Sequence, residues 1–391
     1  MTTPLDISAV TAQIQQLQRL EGDMCARLLE RDDTVRAALV AVVAKQHIAL
    51  IGSPGTAKSM LVELLAERVT SAGSTAQAFV WLLTRFTTPD ELFGPISVAG
   101  LKNDEYRRIT TNKLPEAFFG FLDEIFKANS AVLNALLSLL NERVFDNGPA
   151  RVTVPLNTCV GASNELPQGD DLRALWDRFA LRLMVEYVSD AAFPKLMRMA
   201  ALATPPTTLP HTDLIAIQQA TKRIPVPDGV IDALTQLRKE LGGKGITASD
   251  RRWRQSLELL RAHAIIEGRG VVEEDDLTIL RDSLWTTPEQ RSEIGRDVAR
   301  LANPLVGKAV ELGDQAASIH EAAMAAQRSG QDDQAKMQAA VEGNTKLKTN
   351  ATQLKRLLEQ AKAQGRSTAR IEKIASQVQN MRSQVAALIL S

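Results

Sequence analysis

Eight residues, Gly52-Ser-Pro-Gly-Thr-Ala-Lys58-Ser59, constrain this chain more than any other stretch. They follow HIALI (47–51), a short apolar run that reads as a buried strand, and precede SMLVELLAERV, an amphipathic helix. Strand, glycine-rich turn and helix in succession open an α/β unit. Glycines let backbone N–H groups curl around phosphate oxygens, and the helix N-terminus that follows favours the negative charge. Lys58 is expected to reach the β- and γ-phosphates of a nucleoside triphosphate, and the Ser59 hydroxyl to take one Mg²⁺ position. The candidate nucleotide-binding residues are Gly52, Ser53, Pro54, Gly55, Thr56, Ala57, Lys58, Ser59 and Met60. The strict pattern has Gly where this chain has Ala57. A negative φ is expected there, at the start of the helix, so that alanine costs little. A chance glycine-rich turn would lack the strand before it and the helix after it.

A second motif completes the chemistry. FFGFLDE (118–124) is an apolar run ending in two acids, Asp123 and Glu124. A carboxylate at the end of a buried strand can hold Mg²⁺ through water, the role expected of Asp123, while Glu124 would polarise the attacking water as general base. Two acids that simply end a surface strand are common, but an apolar run ending in DE downstream of a phosphate loop is not. NTCVGASNE (157–165) and ALRLMVEY (180–187), the latter after the helix LRALWDR, read as further strands. Strands alternating with helices predict a parallel sheet covered on both faces.

The flanks read as helical. Residues 5–45 carry Leu17, Leu20, Met24, Leu28 and Leu29 at helical spacing. ATPPTTLP (203–210) cannot continue a helix and marks a boundary. Residues 211–290 are helical in pattern, and from 297 three long helices rich in Ala, Gln, Lys and Leu break at Ser329-Gly330 and Gly365, as in a bundle or coiled coil. With 46 basic and 46 acidic side chains, no global field draws the chain to nucleic acid or anionic lipid. Cys25 and Cys159 stand apart from each other and from histidine clusters, so no cysteine- or histidine-bound metal is expected and a reducing compartment is. The N-terminal residues do not read as a secretion signal, and no apolar run is long enough to span a bilayer. The expected location is the cytoplasm.

Taken as an ordered set, GSPGTAKS, TRFTTPDELFGPIS, LPEAFFGFLDEIFKANSAVLNALLSLLNERVFDNG, ASNELP, LWDRFALRL and SDRRWRQSLELLRAHA resemble the MoxR ATPases of the AAA+ superfamily, most of all the RavA branch. The likeness covers about residues 10–290. It implies an α/β AAA+ P-loop core with a parallel sheet sandwiched by helices (1–203) and an all-α lid (207–290); the α-helical C-terminal bundle (297–391) is read from the residues themselves. RavA-type proteins carry a small β-rich insert among their C-terminal helices, and no such insert is read here. The resemblance also assigns roles. Asn164 matches the residue that positions the lytic water, where a bare reading gives a strand-end turn. Arg178 matches the arginine finger that enters the neighbouring subunit's site, with Arg173 as second choice, against a bare reading of a helix-end cation paired with Asp177. Arg251, with Arg252 beside it, matches the lid arginine that touches the γ-phosphate, and Ser249 or Asp250 would cap its helix. The segment 87–115 matches an extra hairpin over a central pore. Its Lys102, Arg107, Arg108 and Lys113 read foremost as solvated charges. The triplet 141–143 would face a neighbouring subunit.

The function so implied is an ATP- and Mg²⁺-dependent remodeller of protein complexes, assembled as a homo-oligomeric, hexameric ring. A von Willebrand factor A (vWA) domain protein is the partner suggested by analogy. Two other readings compete. A nucleic-acid motor would show ATP turnover stimulated by DNA, and the balanced charge speaks against it. An ATP-binding scaffold without turnover would not need Glu124, Asn164 and Arg178.

Overall fold

The apolar blocks of the first two hundred residues pair into one parallel sheet in the computed structural model, which describes residues 3–71, 74–75, 78–199, 206–302, 304–328, 333–363 and 368–390. In chain order the strands are β1 (His47–Ile51), β2 (Val69–Ser71), β3 (Ser74–Thr75), β4 (Ala78–Leu82), β5 (Phe119–Asp123), β6 (Val144–Asn147), β7 (Ala150–Thr153), β8 (Thr158–Ser163), β9 (Phe179–Met184) and β10 (Leu209–Pro210). The main sheet runs β4-β5-β8-β1-β9, parallel throughout. All residues of β1 and β8 are buried, as expected of central strands covered on both faces. Parallel pairing has one consequence for function: the carboxyl ends of β1, β5 and β8 open onto the same edge, where ligands bind in such sheets.

Helices α1 (Thr11–Arg27) and α2 (Asp32–Ala44) lie before the sheet. The single amphipathic stretch expected over 5–45 is broken between them, where Glu30 adopts a left-handed φ of 56°. Helices α3 (Lys58–Arg68), α4 (Pro89–Phe93), α5 (Val98–Leu101), α6 (Ser130–Glu142), α7 (Asp170–Trp176) and α8 (Phe193–Arg198) follow within the core. Next come α9 (His211–Arg223), α10 (Asp228–Gly243) and α11 (Asp250–Ile266), where α11 packs on α1, α2 and α9. Residues 1–232 and 242–291 therefore form one compact unit. The lid expected over 207–290 shares that unit with the sheet, apart from 233–241. The proposed boundary near 203 lies outside the described residues.

The second unit, 233–241 with 292–391, is helical. It contains most of α12 (Pro288–Ala302), together with α13 (Pro304–Arg328), α14 (Asp333–Ala363) and α15 (Ala369–Leu390). Its core repeats every seven residues: Ala309, Ala316 and Ala323 on α13, Ala340, Leu347, Leu354 and Ala361 on α14, and Ile371, Val378 and Val385 on α15. That spacing is the seam of a coiled-coil bundle, as the composition implied. Asn350 sits buried in the seam and donates from Nδ2 to the Leu312 carbonyl at 3.2 Å. Among the described residues no strand interrupts these helices. The breaks expected at Ser329-Gly330 and Gly365 lie outside them.

One expectation about a charged segment needs correction. The 87–115 segment is not a full hairpin but two short helices, α4 and α5, closed by one antiparallel bridge between Ile96 and Arg108. Arg108 pairs with Asp90 and donates to the Gly94 carbonyl at 2.7 Å, while Lys113 donates to the Glu91 carbonyl at 2.9 Å. These two are anchors of the segment, whereas Lys102 and Arg107 are exposed. In the 141–143 triplet, Arg143 caps α6 with φ 56° and donates to the carbonyls of Leu156 and of Lys45, the latter at 2.5 Å. Burial pulls its pKa down to about 10. It ties β1 and β8 to α6 within its own chain.

His47 joins the same region. Its Nδ1 accepts from the Cys159 N–H at 2.9 Å and its Nε2 lies 2.8 Å from the Leu140 carbonyl, so the ring is neutral with the proton on Nε2. Burial pushes its pKa down to about 3. A histidine depressed in the folded state contributes stability that is complete above its unfolded pKa of about 6.5 and is lost as pH falls towards 3. The expected loss is about 1.4 kcal/mol per pH unit, or roughly 2 kcal/mol between pH 6.5 and 5. Urea midpoints measured across that range are expected to fall less steeply for His47→Gln than for the unmodified protein. Equal slopes would show that His47 titrates normally.

Candidate functional site

The phosphate loop begins where β1 ends. Gly52 donates its N–H to the Ser163 carbonyl at 3.0 Å, continuing the pairing with β8. A Cβ on Gly52 would stand 2.0 Å from the Val185 carbonyl oxygen, so only glycine fits between β1 and the chain leaving β9. Gly55 turns with φ 77°, which glycine alone adopts at little cost. Thr56 is buried and its hydroxyl donates to the Ser53 carbonyl at 2.9 Å, tightening the turn.

Ala57 overturns one expectation. Its φ is +66° and ψ 26°, left-handed rather than helical. This is the position where the strict pattern places glycine. An L-residue there costs roughly 1–2 kcal/mol, a strain held by the loop around it. Helix α3 then starts at Lys58, and its first turn presents Ser59 and Met60 to solvent. The Lys58 amine donates to the loop's own carbonyls, Gly52 at 2.7 Å and Ser53 at 2.9 Å. Burial lowers its pKa, and the fields of Asp123 and Glu124 oppose that shift. Loop and strand-end carboxylates thus converge on one point.

At the end of β5, Asp123 accepts the Glu124 N–H on Oδ1 at 3.0 Å. Glu124 adopts φ 52° and ψ 43°, a left-handed conformation for a side chain with a Cβ. Its Oε2 is buried and accepts no hydrogen bond among the described residues, although Lys127 Nζ approaches to 3.4 Å. A buried carboxylate oxygen without a donor has room to accept a hydrogen bond from a water. Asn164 follows Ser163, the last residue of β8, and is exposed on the same sheet edge. The protein oxygens suit Mg²⁺, which takes one or two carboxylates and completes its shell with water and phosphate. Among the described residues no cluster of three or more His, Cys, Asp or Glu forms a closed cage for another metal.

Arg178 follows α7. It is half-buried, with Nη1 donating to the Ala174 carbonyl at 3.0 Å and Nε buried without a hydrogen bond among the described residues. Burial and the charge of Arg251 lower its pKa, and Asp177 opposes them. The alternative pairing of Arg178 with Asp177 is not what forms. Asp177 is engaged instead by Arg252 at 2.8 Å and Arg251 at 3.6 Å. Arg252 is only 4% exposed, against 40% for the Arg251 side chain, so Arg252 is the structural member of the pair and Arg251 the one that can reach a ligand. Ser249 caps α11 through its hydroxyl, at 3.2 Å from the Arg252 N–H.

Two contributors escaped the sequence reading. Arg31, 9% exposed, donates to the Glu30 carbonyl at 2.9 Å and to the Glu186 carbonyl, and reaches the Thr56 carbonyl at 3.5 Å, bracing the loop from behind. Tyr187 donates to the Pro54 carbonyl at 3.3 Å. Both partners are remote in sequence, and no local pattern marks such contacts.

Comparison with known proteins gives this geometry a family. Residues 15–219 match the profile of the MoxR domain in the MoxR-vWA-beta-propeller ternary systems, and residues 229–298 match an AAA lid domain. An uncharacterized protein of Methanocaldococcus jannaschii is 36% identical over 297 residues, covering 75% of this chain and 78% of its own length. Chaperone MoxR1 of Mycobacterium tuberculosis is 24% identical over 357 residues, 83% of this chain and 92% of its own. The crystal structure of a proposed ATPase from Cytophaga hutchinsonii superposes with a TM-score of 0.59 at 16% identity, covering 75% of this chain and 96% of that one, and shares the fold. The phosphate loop, the paired carboxylates at the end of β5 and the profile over 15–219 identify the chain as a member of the MoxR family of AAA+ ATPases.

Proposed function

We propose that this protein hydrolyses Mg-ATP in a homo-oligomeric ring and uses the cycle to remodel or mature protein complexes. The observation that carries the proposal is the convergence on Lys58: one amine lies on the phosphate loop and in the field of both Asp123 and Glu124. Lys58 would leave the Gly52 and Ser53 carbonyls for phosphate oxygens, and the N–H groups of Gly55 to Ser59 would cradle them. Ser59 and Asp123 would hold Mg²⁺, which supplies charge neutralisation on the phosphates when bound. Glu124 would take the proton of the attacking water, with Asn164 orienting that water.

Arg178 and Arg251 complete the reading. Arg251 would meet the γ-phosphate of its own subunit, and Arg178 that of the next, which requires a closed ring, six-membered by analogy with the superfamily. The chaperone named among the relatives and the vWA systems named by the matching profile support a client complex and a vWA-domain partner. The motif set also resembles the RavA branch within the family. No helix among the described residues is long and apolar enough to cross a membrane, and we place the activity in the cytoplasm.

Subunit mixing tests the shared site. Arg178→Ala and Glu124→Gln proteins are each expected to be inactive alone. Mixed, an Arg178→Ala subunit keeps its base and receives the arginine of a Glu124→Gln neighbour. Random mixing then completes about a quarter of the sites, and turnover is expected to return towards that fraction. No recovery from two variants that co-assemble would overturn the trans role of Arg178.

A further inference from the structure

Four guanidinium groups, of Arg178, Arg182, Arg251 and Arg252, gather at the end of α7, where Asp177 is the carboxylate that faces them. How that carboxylate is divided is informative. Asp177 accepts from the Ser249 hydroxyl at 2.9 Å on Oδ1 and 3.0 Å on Oδ2, from Arg252 Nη2 at 2.8 Å, and lies 3.6 Å from Arg251 Nη1. All three partners belong to the cap and first turn of α11, more than seventy residues away in the chain. Arg178 is the next residue after Asp177, and among the described residues its own side chain hydrogen-bonds back to the Ala174 carbonyl.

The surroundings make this anchor stiff. Arg252 also donates to the Leu284 carbonyl at 3.3 Å. Arg182, fully buried on β9, donates to the Trp176 carbonyl at 2.8 Å and to the Trp285 carbonyl, and stacks on the Trp176 ring at 4.3 Å. Trp285 returns a hydrogen bond from Nε1 to the Arg182 carbonyl at 3.1 Å and packs edge-on against Trp176. The end of α7, the start of α11 and the 284–285 segment are therefore stitched together around one acid. Burying two guanidiniums side by side is tolerable only with that charge beside them.

We propose that Asp177 is a positioning residue that couples the two nucleotide-facing arginines of one subunit. By fixing the first turn of α11 to the residue before Arg178, it makes Arg251, which reads the subunit's own nucleotide, and Arg178, which is offered to the neighbour, move as one body. The occupancy of one site then sets the reach of the finger into the next. This rests on the roles given to Arg178 and Arg251 above.

The test isolates the finger from chemistry in its own subunit. Donor subunits carry Glu124→Gln, so their own sites are dead and only their arginine counts, and acceptors carry Arg178→Ala. Donors bearing Glu124→Gln alone are expected to restore turnover. Donors bearing Asp177→Asn with Glu124→Gln are expected to restore it at least tenfold less well while binding ATP and assembling normally. Because Asp177→Asn could unfold the stitched region, a milder donor, Ser249→Ala with Glu124→Gln, is run beside it, with a several-fold reduction expected. Full rescue by every Asp177 or Ser249 donor that assembles would overturn the coupling. If even the plain Glu124→Gln donor rescues nothing, the failure lies with the shared-site reading itself.

Discussion

Glu124→Gln is expected to leave Mg-ATP binding close to that of the unmodified protein and to lower turnover by about 10²–10⁴-fold, the usual contribution of a positioned general base. The substitution is nearly isosteric, so it isolates the proton-accepting function from the shape of the site. The backbone at residue 124 is already left-handed with glutamate in place, and glutamine asks nothing further of it. The ion-pair contact with Lys127 is lost, but at 3.4 Å and with a half-exposed lysine it contributes less than about 1 kcal/mol. Stability should change little. Steady-state phosphate release, read beside binding of a fluorescent ATP analogue, separates the two effects. Turnover within tenfold of the starting protein would move the base elsewhere, and a parallel loss of binding would give Glu124 a ligand role instead.

How much of this could be read beforehand depends on where each residue's partners lie. Strands β1, β5, β8 and β9 are interior parallel strands or their direct neighbour, and burial on both faces writes them into the sequence as unbroken apolar blocks. β4, Ala78-Phe-Val-Trp-Leu82, is an apolar block of the same kind and was missed nonetheless; its place at the sheet edge leaves Val80 and Leu82 exposed. The β6–β7 hairpin was missed although Asn147-Gly148 is a turn signal, because β7 is exposed along its whole length and carries little apolar content. The long helices of the C-terminal unit were legible in composition, whereas the seven-residue seam of α13, α14 and α15 emerges only from their packing.

The site divides along the same line. Lys58, Ser59, Asp123 and Glu124 sit in local motifs whose chemistry depends on neighbours one to seven residues away. The φ of Ala57 was misjudged because the loop, not the helix, sets it. Asp177 was read only as a possible partner for the arginine beside it. Its real partners arrive from α11, and a carboxylate with no local periodicity or spacing gives no sign of a lid helix seventy residues on. That Arg252 is buried against Asp177 while Arg251 stays exposed is likewise something two adjacent arginines at a helix start do not reveal.

Lys58→Ala should remove nucleotide binding more completely than any other single change. The amine is the loop's own cation, and leaving charged phosphates without such a partner in a partly desolvated site costs about 2–5 kcal/mol, or roughly 30- to several-thousand-fold in Kd. A second effect adds to it. Lys58 stands in the field of Asp123 and Glu124, so its removal leaves two carboxylates facing a triphosphate with less compensation. The fold should survive, because the hydrogen bonds lost are those to the Gly52 and Ser53 carbonyls, and water can reach a half-buried loop. Calorimetric titration with Mg-ATP, paired with a thermal melt without nucleotide, reads both quantities. Equal affinity in the variant would mean that phosphates are not gripped by this loop, and the roles given to Ser59, Asp123, Glu124 and Arg178 would lose the ligand they are arranged around.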